Sequence, residues 1–245
     1  MNQTNQTGHP KGLYLLFFTE MWERFSYYGM RAIFILFMTK ALFMDSATSS
    51  NIFGSFTGLV YLTPLLGGYI ADKYWGNRKS IFIGGIMMAV GQFLLFMSGN
   101  AVTDGVQNAS SISIMWAGLT FLIIGNGFFK PNISTMVGQL YPKGDHRIDG
   151  AFTIFYMGIN IGAFVCNFVA AWLRNAYGWG YAFGAAGIGL IIGMVILAGF
   201  VNDEDIKKAN VKKPVQAEDM PLSSILTTVF LPAIIAAVIG WMLPT

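Results

Sequence analysis

Residues 11–43 read KGLYLLFFTEMWERFSYYGMRAIFILFMTKALF. About 20 mostly apolar residues suffice to cross a bilayer, and this stretch qualifies by length. Its middle, however, holds Glu20, Glu23, Arg24 and Arg31. An ionisable side chain at the bilayer centre costs from about 2.5 kcal/mol upward, so four on one span need partners or water. At 100° per residue, Tyr27 and Arg31 each fall within about 20° of Glu20, with Arg24 about 40° to one side of it and Glu23 about 60° to the other. The five form one polar stripe on an otherwise apolar helix, with Tyr28 beside Arg24 one turn on. Packing specificity alone needs fewer charges, whereas a water-filled path with paired, titratable carboxylates accounts for them. Glu20 and Glu23 are the proton carriers. Arg24 or Arg31, which keep their protons, hold an ionised glutamate and are released to another anion when it is protonated.

The rest of the chain has the same character. Of 245 residues, 54% are hydrophobic and only 11% charged, with a mean hydropathy of +0.55; soluble domains carry about 25% charged residues. That composition excludes a disordered chain, and a net charge of +3 is too small to imply a nucleic-acid partner. The single cysteine, Cys166, excludes a disulfide framework and reads as a small apolar helix residue. Apolar spans are expected at 13–43, 50–72, 80–98, 112–140, 150–173, 179–201 and 222–243, with lipid as their surroundings. The alternating strands of a membrane barrel are absent. The expected fold is therefore an all-α membrane protein: a six-helix bundle in 1–201, a charge-mixed linker in 202–221, and a seventh transmembrane or linking helix in 222–245. Six spans before a polar linker and one after it look like the first part of a longer chain. No secretory signal is read in the polar first twelve residues.

Basic residues set the orientation. With the N-terminus inside, Lys11, Lys73, Arg78, Lys79, Lys143, Arg147, Lys207, Lys208, Lys212 and Lys213 are cytoplasmic, and only Lys40 and Arg174 lie outside. The remaining basic residues, Arg24, Arg31 and Lys130, fall inside spans. Lys130 sits mid-helix beside Pro131, where proline removes a backbone hydrogen bond and is tolerated if the freed carbonyl lines a cavity. Two buried carboxylates against three buried cations leave an excess of one positive charge, which a substrate carboxylate or an acid elsewhere must balance. Tyr156 and Asn160 share a face of the fifth span, and Tyr61 lies in the second. Asp72 at the end of the second span faces Arg78 and Lys79 across Gly76, an arrangement suited to a cytoplasmic latch. His9 and His146 lie outside the spans, no phosphate loop occurs, and no nucleophile has a base and an orienting acid. No enzyme activity, cofactor or metal is expected.

The segments EMWERFSYYGMRAI (20–33), GGYIADKYWG (67–76), GNGFFKPN (125–132) and FTIFYMGINIG (152–162) resemble the proton-dependent oligopeptide transporters of the major facilitator superfamily. The resemblance implies proton-driven symport of di- and tripeptides across a bacterial inner membrane by two six-helix bundles around a central cavity, this chain supplying the N-terminal one and lacking the C-terminal six-helix half. By position, Glu20, Glu23 and Arg24 match the family's ExxER proton-coupling motif, and Lys130 matches a lysine that pairs with a glutamate of the other half. Arg31 and Lys130 would receive the peptide's carboxylate, Asn160 would hold its N-terminal region, and Tyr28, Tyr61 and Tyr156 would line the pocket. Segment 222–243 would be either the seventh core helix or one of two linking helices. Two departures stand out: Gly54 replaces a histidine of mammalian relatives, and the loop has one residue more between Asp72 and Gly76 than the general superfamily motif. The alternatives are carriage of another organic anion or a nitrate-like solute, or a receptor or assembly subunit that does not transport.

Overall fold

The computed structural model describes residues 8–102, 106–199, 204–210, 221–225, 227–228 and 231. Its elements are α1 (Lys11–Lys40), α2 (Ser46–Ile70), a single π turn (Ala71–Trp75), α3 (Asn77–Asn100), α4 (Ala109–Gln139), α5 (Ile148–Tyr177), α6 (Trp179–Gly199) and the short α7 (Glu204–Lys208) and α8 (Leu222–Ile225). Each of the first six expected spans falls on one of α1–α6; the expected span 222–243 lies almost wholly outside the described residues. Four helices, α3 to α6, are long and apolar enough to cross a membrane by length and composition. Helix α1 falls short because of its four mid-helix charges, and α2 because Ser, Thr and Gly replace aliphatic residues.

Helix starts are set by local chemistry. Asp45 caps α2, its Oδ1 accepting from the Thr48 amide at 2.9 Å. Asn108 caps α4 by accepting from the Ser110 and Ser111 amides. Helices α1 and α3 have no side-chain cap of their own. The first residues of the charge-mixed stretch supply one from a distance: Asp205 accepts from the Gly12 amide at 3.4 Å and Asn210 from the Arg78 amide at 2.9 Å. Ile206 and Ala209 are buried beneath them, so this part of the stretch is docked on the bundle.

Close packing of helices without a hydrophobic drive between them relies on small residues. On α3, Gly84, Gly91 and Ser98 meet Gly125, Gly118 and Ser111 on the antiparallel α4. The steps are seven residues on both helices, the spacing that keeps a seam in register. At its end, Ser98 and Ser111 each donate to the other's carbonyl at 2.7 Å. On α5 the steps are four residues: Gly158 and Gly162 face Phe17 and Met21 of the parallel α1, and Cys166 faces Gly29. Helices α2, α4 and α3 form one layer and α5, α1 and α6 another, joined chiefly by α3 against α6. Exchanging α1, α2, α3 for α4, α5, α6 carries the α1–α5 contact onto α4–α2 and α1–α6 onto α4–α3. Because α1 and α4 run in opposite directions, this is an inverted repeat.

Candidate functional site

Four side chains of the α1 stripe are sealed in the bundle: Glu20, Glu23, Arg24 and Tyr27 are all at most 3% exposed. Arg24 Nε lies 3.1 Å from Glu20 Oε1 and also bonds Glu23 Oε2. Its guanidinium carbon stands 5.3 Å from the Tyr27 ring centroid and 5.9 Å from that of Tyr28. Of the two arginines expected to hold a glutamate, Arg24 takes both.

Lys130 of α4 is half-buried and interacts electrostatically with Arg24, Glu23 and Glu20. It lies within a close junction of α4 with α2. Thr63 of α2 donates to the Ile123 carbonyl at 3.0 Å, and Asn132 donates to the carbonyls of Phe128 at 2.6 Å and Gly67 at 3.4 Å. Pro131 cannot bond the Gly127 carbonyl, which was expected to line a cavity. Instead it points at the Cα of Gly67, where any Cβ would collide with it. The missing side chain lets α2 close over the freed oxygen.

Arg31 lies seven residues beyond Arg24, about 10 Å along the axis, and its setting differs. It is half-buried, forms no ion pair among the described residues, and sits 5.2 Å over the Phe53 ring. With Tyr28, Ala32, Phe53, Ala163 and Asn167 it lines a cavity of about 350 Å³ between α1, α2 and α5. The stripe is thus divided into a closed cluster of two acids with two nearby cations and an open site holding the surplus cation. Tyr61 at 63%, Tyr156 at 57% and Asn160 are exposed on α2 and α5; none of them lines the Arg31 cavity.

The loop residue in excess of the superfamily motif is absorbed by the π turn. The Gly76 amide donates to the Ala71 carbonyl at 2.8 Å, a bond that spans one residue more than an α-helical one. Gly76 then turns the chain at φ 78°, where a side chain would be strained. Asp72 lies on the π turn, and Arg78 and Lys79 lie in the first turn of α3. Trp75 stacks on Phe128 with centroids 5.0 Å apart, and Lys79 caps the stack at 5.9 Å. The turn is therefore coupled to α4 two residues before Lys130. His9, outside the spans, bonds the Tyr141 hydroxyl at 2.8 Å.

Sequence reading did not single out Phe53, Asn126 or Asn167. Asn167 had a legible signal: it is a polar residue in an apolar span, two turns after Asn160. Asn126 stands within GNGFFKPN with no charge to mark it, and Phe53 has no signal apart from the contact it makes.

The profile described as "PTR2: POT family" matches residues 78–216. The peptide transporter YePEPT of Yersinia enterocolitica subsp. palearctica is 40% identical over 198 residues, covering 79% of this chain and 37% of its own length. Dipeptide and tripeptide permease A of Escherichia coli (strain K12) is 39% identical, covering 79% and 37%. The crystal structure of a POT family transporter in complex with a thioalcohol-conjugated peptide matches with a TM-score of 0.81 at 31% identity, over 98% of this chain and 48% of that one. The chain spans less than half the length of these relatives.

Proposed function

The chain belongs to the POT family, and on that premise we propose that it forms the N-terminal half of a proton-coupled symporter of di- and tripeptides. The observation that carries the reading is the division of charge along α1. Glu20 and Glu23 are balanced by Arg24 and the nearby Lys130, while Arg31 stands in the open cavity without an ion pair among the described residues. A cation partly withdrawn from water without a counter-charge is unfavourable, and a peptide carboxylate supplies one.

The finer assignments extend this. Six core helices rock against a second six-helix bundle in the bacterial inner membrane, with the N-terminus cytoplasmic by the distribution of basic residues. Protonation of a glutamate relaxes its hold on Arg24, and the peptide carboxylate enters between Arg31 and Lys130. Tyr28, Tyr61, Tyr156 and Asn160 line the path of the peptide. Proton release inside lets the glutamate reclaim Arg24, which weakens the site. Asp72, Arg78 and Lys79 close the cytoplasmic end.

The test is uptake of a labelled dipeptide into liposomes by the full-length protein. Accumulation only under an inward proton gradient is expected. Accumulation of a non-peptide anion in its place, or equal uptake without the gradient, overturns the reading.

A further inference from the structure

Asn126 lies in the middle of α4 at 1% exposure, and neither its Oδ1 nor its Nδ2 has a hydrogen-bond partner among the described residues. It is sealed within this bundle, so a group outside the bundle does not satisfy it. Register shows where it points. Gly125 faces Gly84 of α3, and Gly127 faces Thr63 of α2. The side chain between them is directed away from both, toward the bundle interior. Lys130, one turn on along the same face, interacts with Glu20, Glu23 and Arg24. Four more buried atoms on α1 are in the same condition: Glu20 Oε2, Glu23 Oε1, Arg24 Nη2 and the Tyr27 hydroxyl.

Donors and acceptors are matched in this set. Glu20, Glu23 and Asn126 offer acceptors, Arg24 and Asn126 offer donors, and the Tyr27 hydroxyl can do either. Buried polar atoms in native proteins are almost always bonded to protein or to ordered water, and one water needs two to four such partners. Around the set, Tyr28 and Arg31 of α1 and Tyr61 of α2 are the next titratable or charged groups. The buried polar side chains of α3, α5 and α6 among the described residues carry no charge.

We propose that these atoms bind internal water, and that Asn126 is the α4 residue that holds it against Glu20 and Glu23. Asn126 is then a positioning residue: through the water it sets the pH at which the carboxylates exchange protons, and the water gives the proton a route that no direct side-chain contact provides. The inference rests on the symport reading for its role, but the water site can be tested apart from it.

The full-length protein is reconstituted, and dialanine uptake is followed against external pH for wild type, Asn126→Leu and Asn126→Ser. Leucine keeps the branched shape and removes both polar atoms; serine keeps a hydroxyl to hold water. Asn126→Leu is expected to move the pH midpoint by about one unit, the scale of one hydrogen bond to a charged group, and Asn126→Ser to restore most of it. Infrared difference spectra after a pH jump are expected to show an internal-water O–H band in wild type that moves in heavy-oxygen water. An unchanged midpoint in a folded Asn126→Leu, or no such band in wild type, overturns the inference. If Asn126→Leu does not fold, the wild-type band decides. A band present in a protein whose uptake ignores pH leaves the water site standing and removes the symport reading.

Discussion

The Nε of Arg24 stands 3.1 Å from Oε1 of Glu20, one turn earlier on α1, and the same nitrogen bonds Glu23. One donor thus serves two buried acids, and protonation of either leaves the other still held. Removing the guanidinium strands two anions side by side, and breaking a buried pair in this way costs about 3–5 kcal/mol. Arg24→Ala in the full-length protein should lower the thermal unfolding midpoint in detergent and abolish uptake. A variant with wild-type stability would show that the carboxylates are satisfied by other groups.

Glu23→Gln keeps the shape of the side chain and removes its charge and its proton. Proton-driven accumulation should disappear while counterflow exchange of peptide persists. Undiminished accumulation under a pH gradient would defeat the coupling role.

Arg31 has room for an anion in its 350 Å³ cavity. A charge-assisted hydrogen bond contributes about 1.5–3 kcal/mol, so Arg31→Ala should weaken binding of peptides with a free C-terminus by about 10- to 100-fold. Binding of C-terminally amidated peptides should change little. Equal losses for both would count against a carboxylate site.

Gly67 and Gly68 are adjacent but differ in what a side chain would meet. A Cβ at Gly67 runs into the Gly127 backbone, whereas one at Gly68 makes an ordinary 3.5 Å contact with Pro131. Gly67→Ala should destabilise the bundle by at least the 1–3 kcal/mol typical of overpacking, and Gly68→Ala should fold like wild type. Thermal unfolding of the two variants checks the α2–α4 junction; similar midpoints would refute it.

Asp145, in the loop between α4 and α5, is held by the Arg147 guanidinium and amide, which lower its carboxyl from the ordinary 3.8 to about 2. A depressed carboxyl stabilises the folded form above its unfolded value, and that contribution is lost as pH falls through the folded one. Arg147 also donates to the Gly8 carbonyl at 2.6 Å, so the loop and the N-terminal segment should loosen together. Intrinsic-rate-corrected hydrogen exchange of residues 141–148 should be flat from about pH 7 to 5 and rise between about pH 4 and 2. Asp145→Asn should remove that pH dependence; loosening already above about pH 5 would contradict the assignment.

Much of the fold was legible because its signals are local. Apolar runs interrupted by polar turns place helices α1 to α6 to within a few residues, and Gly76 marks a turn through chemistry that acts within a few residues, whereas the caps Asp45 and Asn108 were found only in the structure. The close approaches were not legible. Gly84 and Gly125 are only two glycines among 29 until register brings them together, and the caps that Asp205 and Asn210 place on α1 and α3 join residues far apart in the chain. For the same reason, the carbonyl freed by Pro131 was expected at a cavity wall and is found under Gly67.

By itself the sequence determined that charge lies on the first long helix, how much of it there is, and on which stripe, because helical periodicity converts spacing into direction without reference to neighbours. Tertiary structure alone decided which part of that stripe is closed and which is open. Whether Arg24 or Arg31 meets the glutamates, and whether Arg31 or Asn126 meets a cavity or a sealed interior, depends on how near other helices approach. That distance is set by small residues on α2 to α5, whose effect exists only once register brings each against a neighbouring helix.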